Sequence, residues 1–162
     1  MSKKKIDSGL IGAAGEHLVL SRLLSRGILA SMAPSGTRIA DILVNPLDGG
    51  KPVLIQVKTR SGKGAGKKWH MGEKHQEIKS NNLYYCFVDL EKEANNVYVI
   101  PSAKVASIVE TSYRAWYEQP GAKGQQRNDT NLRWIMMEYP RDVKGASPGW
   151  MNEYLENWSV FE

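Results

Sequence analysis

The sequence has few cysteines and histidines and no long apolar run. Its single cysteine, Cys86, excludes an internal disulfide and a cysteine-rich zinc site. The apolar neighbours of Cys86 predict a small buried core residue rather than a nucleophile. The three histidines, His17, His70 and His75, do not form a metal-ligand set, and we expect them on the surface. No apolar run approaches the roughly 20 residues that span a bilayer, so we expect no membrane segment.

The sequence also shows no secretory signal. The basic residues at positions 3–5 lead into a stretch that is interrupted by Glu16 and Arg22, which favours a cytoplasmic protein. The 162 residues suffice for one α/β domain. The net charge of +5 favours an anionic partner, although charge alone does not identify it.

Two apolar segments near the middle of the chain, residues 39–45 and 53–59, predict two strands joined by a turn of prolines and glycines. Side chains alternate along a strand, so Gln56 and Lys58 share one face of the second strand. The opposite, apolar face is formed by Val53, Ile55 and Val57. Asp41 interrupts the first strand. An acid, an amide and an amine therefore lie on two neighbouring strands that are otherwise suited to burial.

Burial of such polar groups is unfavourable unless they are paired, hydrogen-bonded or bound to a metal. The pattern therefore indicates a functional site at Asp41, Gln56 and Lys58. The alternative is structural: Asp41 and Lys58 form an ion pair at the edge of a sheet, and Gln56 is solvated.

A helix is predicted from about residue 8 to about residue 26, with Gly27 as its end signal. Glu16 lies on the small and apolar side of this helix. Gly12 and Gly15 each lower helix propensity by about 1 kcal/mol, which close approach to a sheet or a ligand would explain. Glu16 is therefore a second candidate site residue; the alternative is that its side chain extends to water.

A basic, glycine-rich segment follows the second strand. Residues 60–79 contain six basic and two acidic residues, a composition that suits contact with a phosphate backbone. Trp69 either stacks on a base or anchors the segment to the core. The candidate nucleic-acid contacts are Arg60, Lys63, Lys67, Lys68 and Trp69.

The remaining patterns predict one domain, with a core at about residues 8–140 and a C-terminal aromatic helix or tail at 141–162. Trp150, Tyr154 and Trp158 are spaced to share one helical face, which we expect to dock on the core or on a second subunit. Further strands are predicted at residues 28–33, 83–90, 97–100 and 132–139, although the apolar centre of the last also fits a buried helix. A short helix is predicted at 72–80 and a longer helix at 101–117.

The order of these elements resembles the PD-(D/E)XK nuclease superfamily, the restriction-endonuclease-like fold that also includes archaeal Holliday-junction resolvases. The matching positions are Glu16 on the first helix, Asp41 on one strand, and Gln56 with Lys58 on the next, within residues 8–100. The GxxGE start of the helix and the phrase IQVKT are also like those of resolvase-type members. The resemblance implies an α/β fold with a central mixed sheet of four to five strands flanked by helices.

The resemblance further implies a metal-dependent DNA endonuclease of restriction, homing or junction-resolving type. Mg²⁺, with Mn²⁺ as a substitute, would be held by Asp41, the amide oxygen of Gln56, the backbone carbonyl of Val57, and Glu16. Lys58 would orient or help deprotonate the attacking water. The partner would be DNA, and two cuts in a duplex would call for two active sites, as in a homodimer.

Two positions depart from the family pattern. Ala40 stands in the place of an often degenerate proline. Gln56 replaces the usual acidic residue; some homing-endonuclease relatives have glutamine there, but an amide brings no negative charge to a metal. A catalytically impaired nucleic-acid-binding protein is therefore one alternative function. A protein-interaction module, which the aromatic tail would suit, is another.

Overall fold

The computed structural model describes residues 6–61, 67–91 and 94–162. Within these residues, two α-helices flank a five-stranded mixed sheet, and a two-stranded sheet lies beside it. The helices are α1 (Ser8–Leu24) and α2 (Ser102–Tyr117). The strands are β1 (Ala30–Met32), β2 (Ile42–Val44), β3 (Val53–Arg60), β4 (Lys68–Gly72), β5 (Leu83–Asp89), β6 (Asn96–Pro101) and β7 (Leu132–Met136). The predicted α/β class and central mixed sheet are confirmed.

The first helix begins and ends where local signals place its ends. The Asp7 carboxylate accepts hydrogen bonds from the backbone N–H of Gly9 (2.8 Å) and Leu10 (3.3 Å), which caps the N-terminus of α1. Gly27, with φ of 77°, follows the C-terminus in a left-handed conformation that favours glycine. Along α1, the buried residues are Gly15, Val19 and Leu23. No helix among the described residues is long and apolar enough to cross a membrane.

The strand order in the central sheet is β1-β2-β3-β5-β6, in which only β3 and β5 run parallel. The predicted hairpin is formed by β2 and β3. Because β2 has three residues, it pairs only with Val53–Ile55 at the start of β3. Beyond that point, no strand in the described part of the chain pairs with this side of β3. We call residues 56–60 on this side the open edge of β3.

Apolar side chains form one core on each face of the central sheet. The α1-side core combines Val19 and Leu23 with Ile55, Val57 and residues of β5 and β6. The α2-side core combines Val105, Ile108 and Val109 with Tyr85, Phe87 and residues of β4 and β7. The predicted apolar face of β3 therefore packs under α1, and Gln56 and Lys58 lie on the α2 side.

The small sheet shows that part of the basic, glycine-rich segment is a strand and not a loop open to a phosphate backbone. Lys68–Gly72 forms β4, which pairs antiparallel with β7. Trp69 is 1% exposed, and its indole N–H donates to the Val88 carbonyl oxygen at 2.9 Å. The burial of Trp69, Met71 and Ile135 in the α2-side core stabilises this pairing of segments distant in sequence.

The tail does not form the predicted aromatic helix. It contains two short 3-10 helices, Asn152–Tyr154 and Trp158–Phe161, in an otherwise irregular path. Trp150 packs in the α2-side core and Trp158 in the α1-side core, so they share no face. Glu156 holds the segment against β6: its backbone N–H donates to the Val97 carbonyl oxygen (2.8 Å), and its carboxylate accepts from the Val97 N–H (2.8 Å). The tail therefore docks on its own core.

We predict opposite effects of alanine at two glycines of α1. A Cβ atom at Gly15 would lie 1.9 Å from Oγ1 and 2.9 Å from Cβ of Thr59, so Gly15→Ala should destabilise the fold by about 1–3 kcal/mol. A Cβ atom at Gly12 meets nothing within 4 Å, so Gly12→Ala should stabilise by up to about 1 kcal/mol. Urea unfolding of both variants tests this. Equal effects would contradict close packing of α1 on β3.

Candidate active site at the open edge of β3

Asp41 lies where β2 separates from β3. Its backbone N–H donates to the Ile55 carbonyl oxygen at 2.8 Å, and β2 begins at the next residue. The Asp41 carboxylate then takes the place of a neighbouring strand: its Oδ2 accepts the backbone N–H of Val57 at 2.7 Å. The N–H and C=O of a strand residue point to the same side, so the Val57 carbonyl oxygen also lies at the open edge.

Gln56 and Lys58 extend from β3 on the same face. The amide nitrogen of Gln56 donates to Oδ2 of Asp41. Gln56 is therefore not simply solvated. Among the described residues, Asp41 and Lys58 form no ion pair within 4 Å, so the structural alternative of an Asp41–Lys58 pair is contradicted. All three side chains are half-buried.

Glu16 approaches the same place from α1. The adjacent Gly15 packs against Thr59, which brings this turn of the helix onto β3. Burial raises the pKa of the Glu16 carboxyl, and the negative charge of Asp41 raises it further. The two carboxylates are thus close enough to repel each other. We call Glu16, Asp41, Gln56, Val57 and Lys58 the Asp41 cluster.

Burial and two neighbouring charges act on the pKa of Lys58. Burial lowers the pKa of its ammonium group, the Asp41 carboxylate opposes that change, and the positive charge of Lys74 adds to it. Lys74 lies on a 3-10 helix, Glu73–Gln76, that follows β4. A larger fraction of Lys58 is therefore neutral at a given pH than for an exposed lysine.

The same 3-10 helix carries His75, which was predicted on the surface but is 3% exposed. Its Nδ1 lies 2.7 Å from the hydroxyl oxygen of Tyr85, the register partner of Gln56 on β5. Burial, followed by the charges of Lys58, Lys74 and His70, lowers the pKa of His75 to about 4, so it is neutral at pH 7. The sequence gives no signal for the burial of His75. Its 3-10 helix follows β4, and β4 is held beside the central sheet by its pairing with β7, which is distant in sequence.

The predicted nucleic-acid contacts separate into inward and outward residues. Arg60 is 6% exposed and pairs with Asp89 (2.8 Å) and Glu91 (3.1 Å), so its guanidinium is engaged inside the fold. The ring of Trp69 is buried as well, which rules out stacking on a base. Lys67 is exposed, and the Lys68 ammonium lies 4.1 Å from the ring centre of Trp134. Lys63 lies outside the described residues.

The donor set of the Asp41 cluster fits a hard divalent cation. Mg²⁺ prefers oxygen ligands, and the cluster offers the carboxylates of Glu16 and Asp41 and the carbonyl oxygen of Val57. Gln56 presents its amide nitrogen to Asp41, so its oxygen becomes a ligand only after rotation of the amide. No group of three or more His, Cys, Asp or Glu side chains in the described ranges is placed to hold a metal ion. Gln56, which donates a hydrogen bond to Asp41, contributes an amide and no negative charge to this place.

Comparison with known proteins gives a structural relative. No protein-family model matches the sequence, and no curated protein matches it significantly. Among solved structures, a bacterial homing endonuclease, I-Ssp6803I, matches with a TM-score of 0.50 and 13% identity, over 96% of this chain and 91% of that chain. The chain shares its fold with this endonuclease. Because a fold alone does not determine function, the Asp41 cluster carries the functional argument.

We predict that Asp41→Asn lowers two pKa values at once. Removing the carboxylate charge makes ionisation of Glu16 easier and removes an attraction that favours charged Lys58, so both pKa values should fall. NMR titration of the Glu16 carboxyl and the Lys58 side chain, without metal, measures this. The matched control is Asp48→Asn in the exposed hairpin turn, which should leave both values unchanged. A rise in either pKa would show that Asp41 is not the dominant neighbouring charge.

Proposed function

We propose that this protein is a metal-dependent DNA endonuclease that hydrolyses phosphodiester bonds. The observation that carries the proposal is the convergence of Glu16, Asp41, Gln56 and Lys58 at the open edge of β3. The shared fold with a homing endonuclease supports the same reaction class. The excess of basic residues supports a polyanionic substrate.

Asp41 is the principal metal ligand in this proposal, because its carboxylate is already oriented by the Val57 N–H. Glu16 and the Val57 carbonyl oxygen complete one side, and the Gln56 amide oxygen joins them after the amide rotates. Bound Mg²⁺, or Mn²⁺ in its place, would supply charge stabilisation at the phosphate and a more acidic water. Glu16 ligates in its ionised form, so its raised pKa makes metal binding weaker at acidic pH.

Lys58 positions the attacking water and accepts or shares its proton. Burial and the neighbouring Lys74 favour its neutral form, which is the form that accepts a proton. Protonated Lys58 instead offsets negative charge on the phosphate as it develops. Because deprotonation of Lys58 proceeds as the pH rises, cleavage should increase with pH through its lowered pKa.

A nucleic-acid-binding protein without cleavage activity is the second candidate function. Gln56 favours it, since the cluster has two carboxylates and therefore less charge to hold a cation. The third possibility, an interaction module, loses its support because the tail aromatics pack within the chain itself. Cleavage of both strands of a duplex would need two copies of the site, and we propose a homodimer for that reaction.

We predict that Asp41→Ala and Lys58→Ala each reduce DNA cleavage about a hundredfold or more, while DNA affinity is retained. The measurement is nicking of supercoiled plasmid with Mg²⁺ or Mn²⁺, beside a binding assay without metal. Lys51→Ala, which removes an exposed lysine from the turn of the same hairpin, should cleave normally. Asp41→Asn serves if the alanine variant is unfolded. Metal-independent cleavage, or cleavage that survives these changes, would place the active site elsewhere.

We predict that Gln56→Glu lowers the thermal stability of the protein without metal and strengthens its binding of a divalent cation. A third carboxylate beside Asp41 and Glu16 increases repulsion, so the melting temperature without metal should fall. The added charge should tighten Mg²⁺ or Mn²⁺ binding by at least about tenfold.

Thermal melting at increasing metal concentration tests this expectation independently of cleavage. Gln126→Glu, the same charge change on an exposed loop, should alter neither quantity. If Gln56→Glu melts like the parent protein with and without metal, position 56 does not face a cation site.

A further inference from the structure

A cavity of about 170 Å³ lies between the C-terminal half of α2 and β7, away from the Asp41 cluster. Helix α2 contributes Tyr113 and Trp116, and β7 contributes Trp134 and Met136. Tyr139 and Arg141, from the segment that follows β7, complete the wall. Aromatic rings of this kind bind flat apolar groups well. The volume is small for a drug-sized ligand, so it suits a single ring system.

The charged residues that line the cavity are cationic, and the acidic Asp129 lies next to it, where it accepts a hydrogen bond from the Tyr113 hydroxyl. Arg133 and Arg141 line it, and none of its lining residues in the described part of the chain is acidic. Arg133 already has partners: its Nε donates to the Gln76 side chain at 2.5 Å, and its guanidinium lies 3.2 Å from the ring centre of Tyr113. Arg141 differs, because its Nη1 atom is buried without a hydrogen-bond partner among the described residues. An unpaired charged donor is unfavourable, so turning the Arg141 guanidinium toward an acceptor or a negative charge in the cavity would be stabilising.

The cavity is connected to the Asp41 cluster by basic and aromatic side chains. The Lys68 ammonium lies 4.1 Å from the centre of the Trp134 ring, and the His70 ring packs nearly perpendicular to it, with ring centres 5.3 Å apart. Gln76, the partner of Arg133, ends the 3-10 helix that carries Lys74 beside Lys58. Lys68 and Lys74 would attract an anionic strand between the two places, and Glu73, which lies on the same 3-10 helix 3.9 Å from the Arg133 guanidinium, would oppose it.

We propose that this cavity binds one unpaired nucleobase together with its phosphate. The base stacks on the aromatic wall, and Arg141 donates to the phosphate or to an acceptor on the base edge. A fully paired base is not available to enter, so the cavity favours single-stranded or locally unpaired DNA. This inference rests on the proposed function, since it names the form of nucleic acid that the same protein engages.

The test is metal-free binding of labelled oligothymidylate, measured by fluorescence anisotropy, with the same strand paired to oligoadenylate for comparison. Arg141→Gln should weaken binding of the single strand at least about tenfold. Thr130→Phe, which places a ring in the cavity from an exposed lining residue, should do the same without removing charge. Arg114→Gln is the matched control, because Arg114 is exposed on α2 and pairs only with Glu110 among the described residues. It should bind like the parent protein.

Two further probes distinguish the base from the phosphate and the strand from a free nucleotide. An abasic strand should bind more weakly than oligothymidylate, and indole N–H signals of Trp116 and Trp134 should shift with oligothymidylate. If thymidine monophosphate shifts the same two signals, the cavity binds a nucleotide both within a strand and free in solution. If the signals stay fixed, or if abasic strand and oligothymidylate depend equally on Arg141, the proposal is wrong.

The outcomes also separate this inference from the proposed function. Loss of single-strand binding in the Arg141 and Thr130 variants, in a protein that never cleaves, would support the cavity and contradict the nuclease. Normal plasmid cleavage with no oligothymidylate binding would support the nuclease and contradict the cavity.

Discussion

The hydrogen bond from the Val57 N–H to the Asp41 carboxylate is the contact on which the candidate site depends. It exists because β2 ends its pairing after three residues and leaves one side of β3 without a strand. A buried backbone N–H requires a partner, and here a carboxylate supplies it. The same contact orients the carboxylate and holds it beside Gln56. The early end of the β2–β3 pairing therefore also determines the geometry of the candidate site.

The elements that were predicted well are those with local signals. Helix α1 has a capping residue and a terminal glycine, α2 has a proline start and a helical stripe, and the β2–β3 hairpin has alternating strands around a turn. The small sheet was missed because β4 and β7 recognise each other across about sixty positions, and only the shared core connects them. The tail was mispredicted because its tryptophans fit helical spacing but pack on opposite faces of the sheet.

The residues of the candidate site show the same difference between local signals and contacts distant in sequence. Asp41, Gln56 and Lys58 were identifiable because polar residues interrupt apolar strands, and Gly15 marked the close approach that brings Glu16 near them. Lys74 and His75 were not identifiable, since a 3-10 helix positioned by the small sheet brings them there. Arg60 illustrates the opposite error. Its basic surroundings indicated phosphate contact, but its register partner on β5 is Asp89, which neutralises it inside the fold.

The position of Glu156 against β6 has a consequence for contacts between copies of the chain. Sheets of two molecules often merge by pairing their outer strands. On β6, Val97 already exchanges hydrogen bonds with Glu156, and Tyr98 pairs with Leu155. The opposite outer strand, β1, has three residues, and short edge strands resist such pairing. Pairing of two copies through either outer strand of the central sheet is therefore disfavoured.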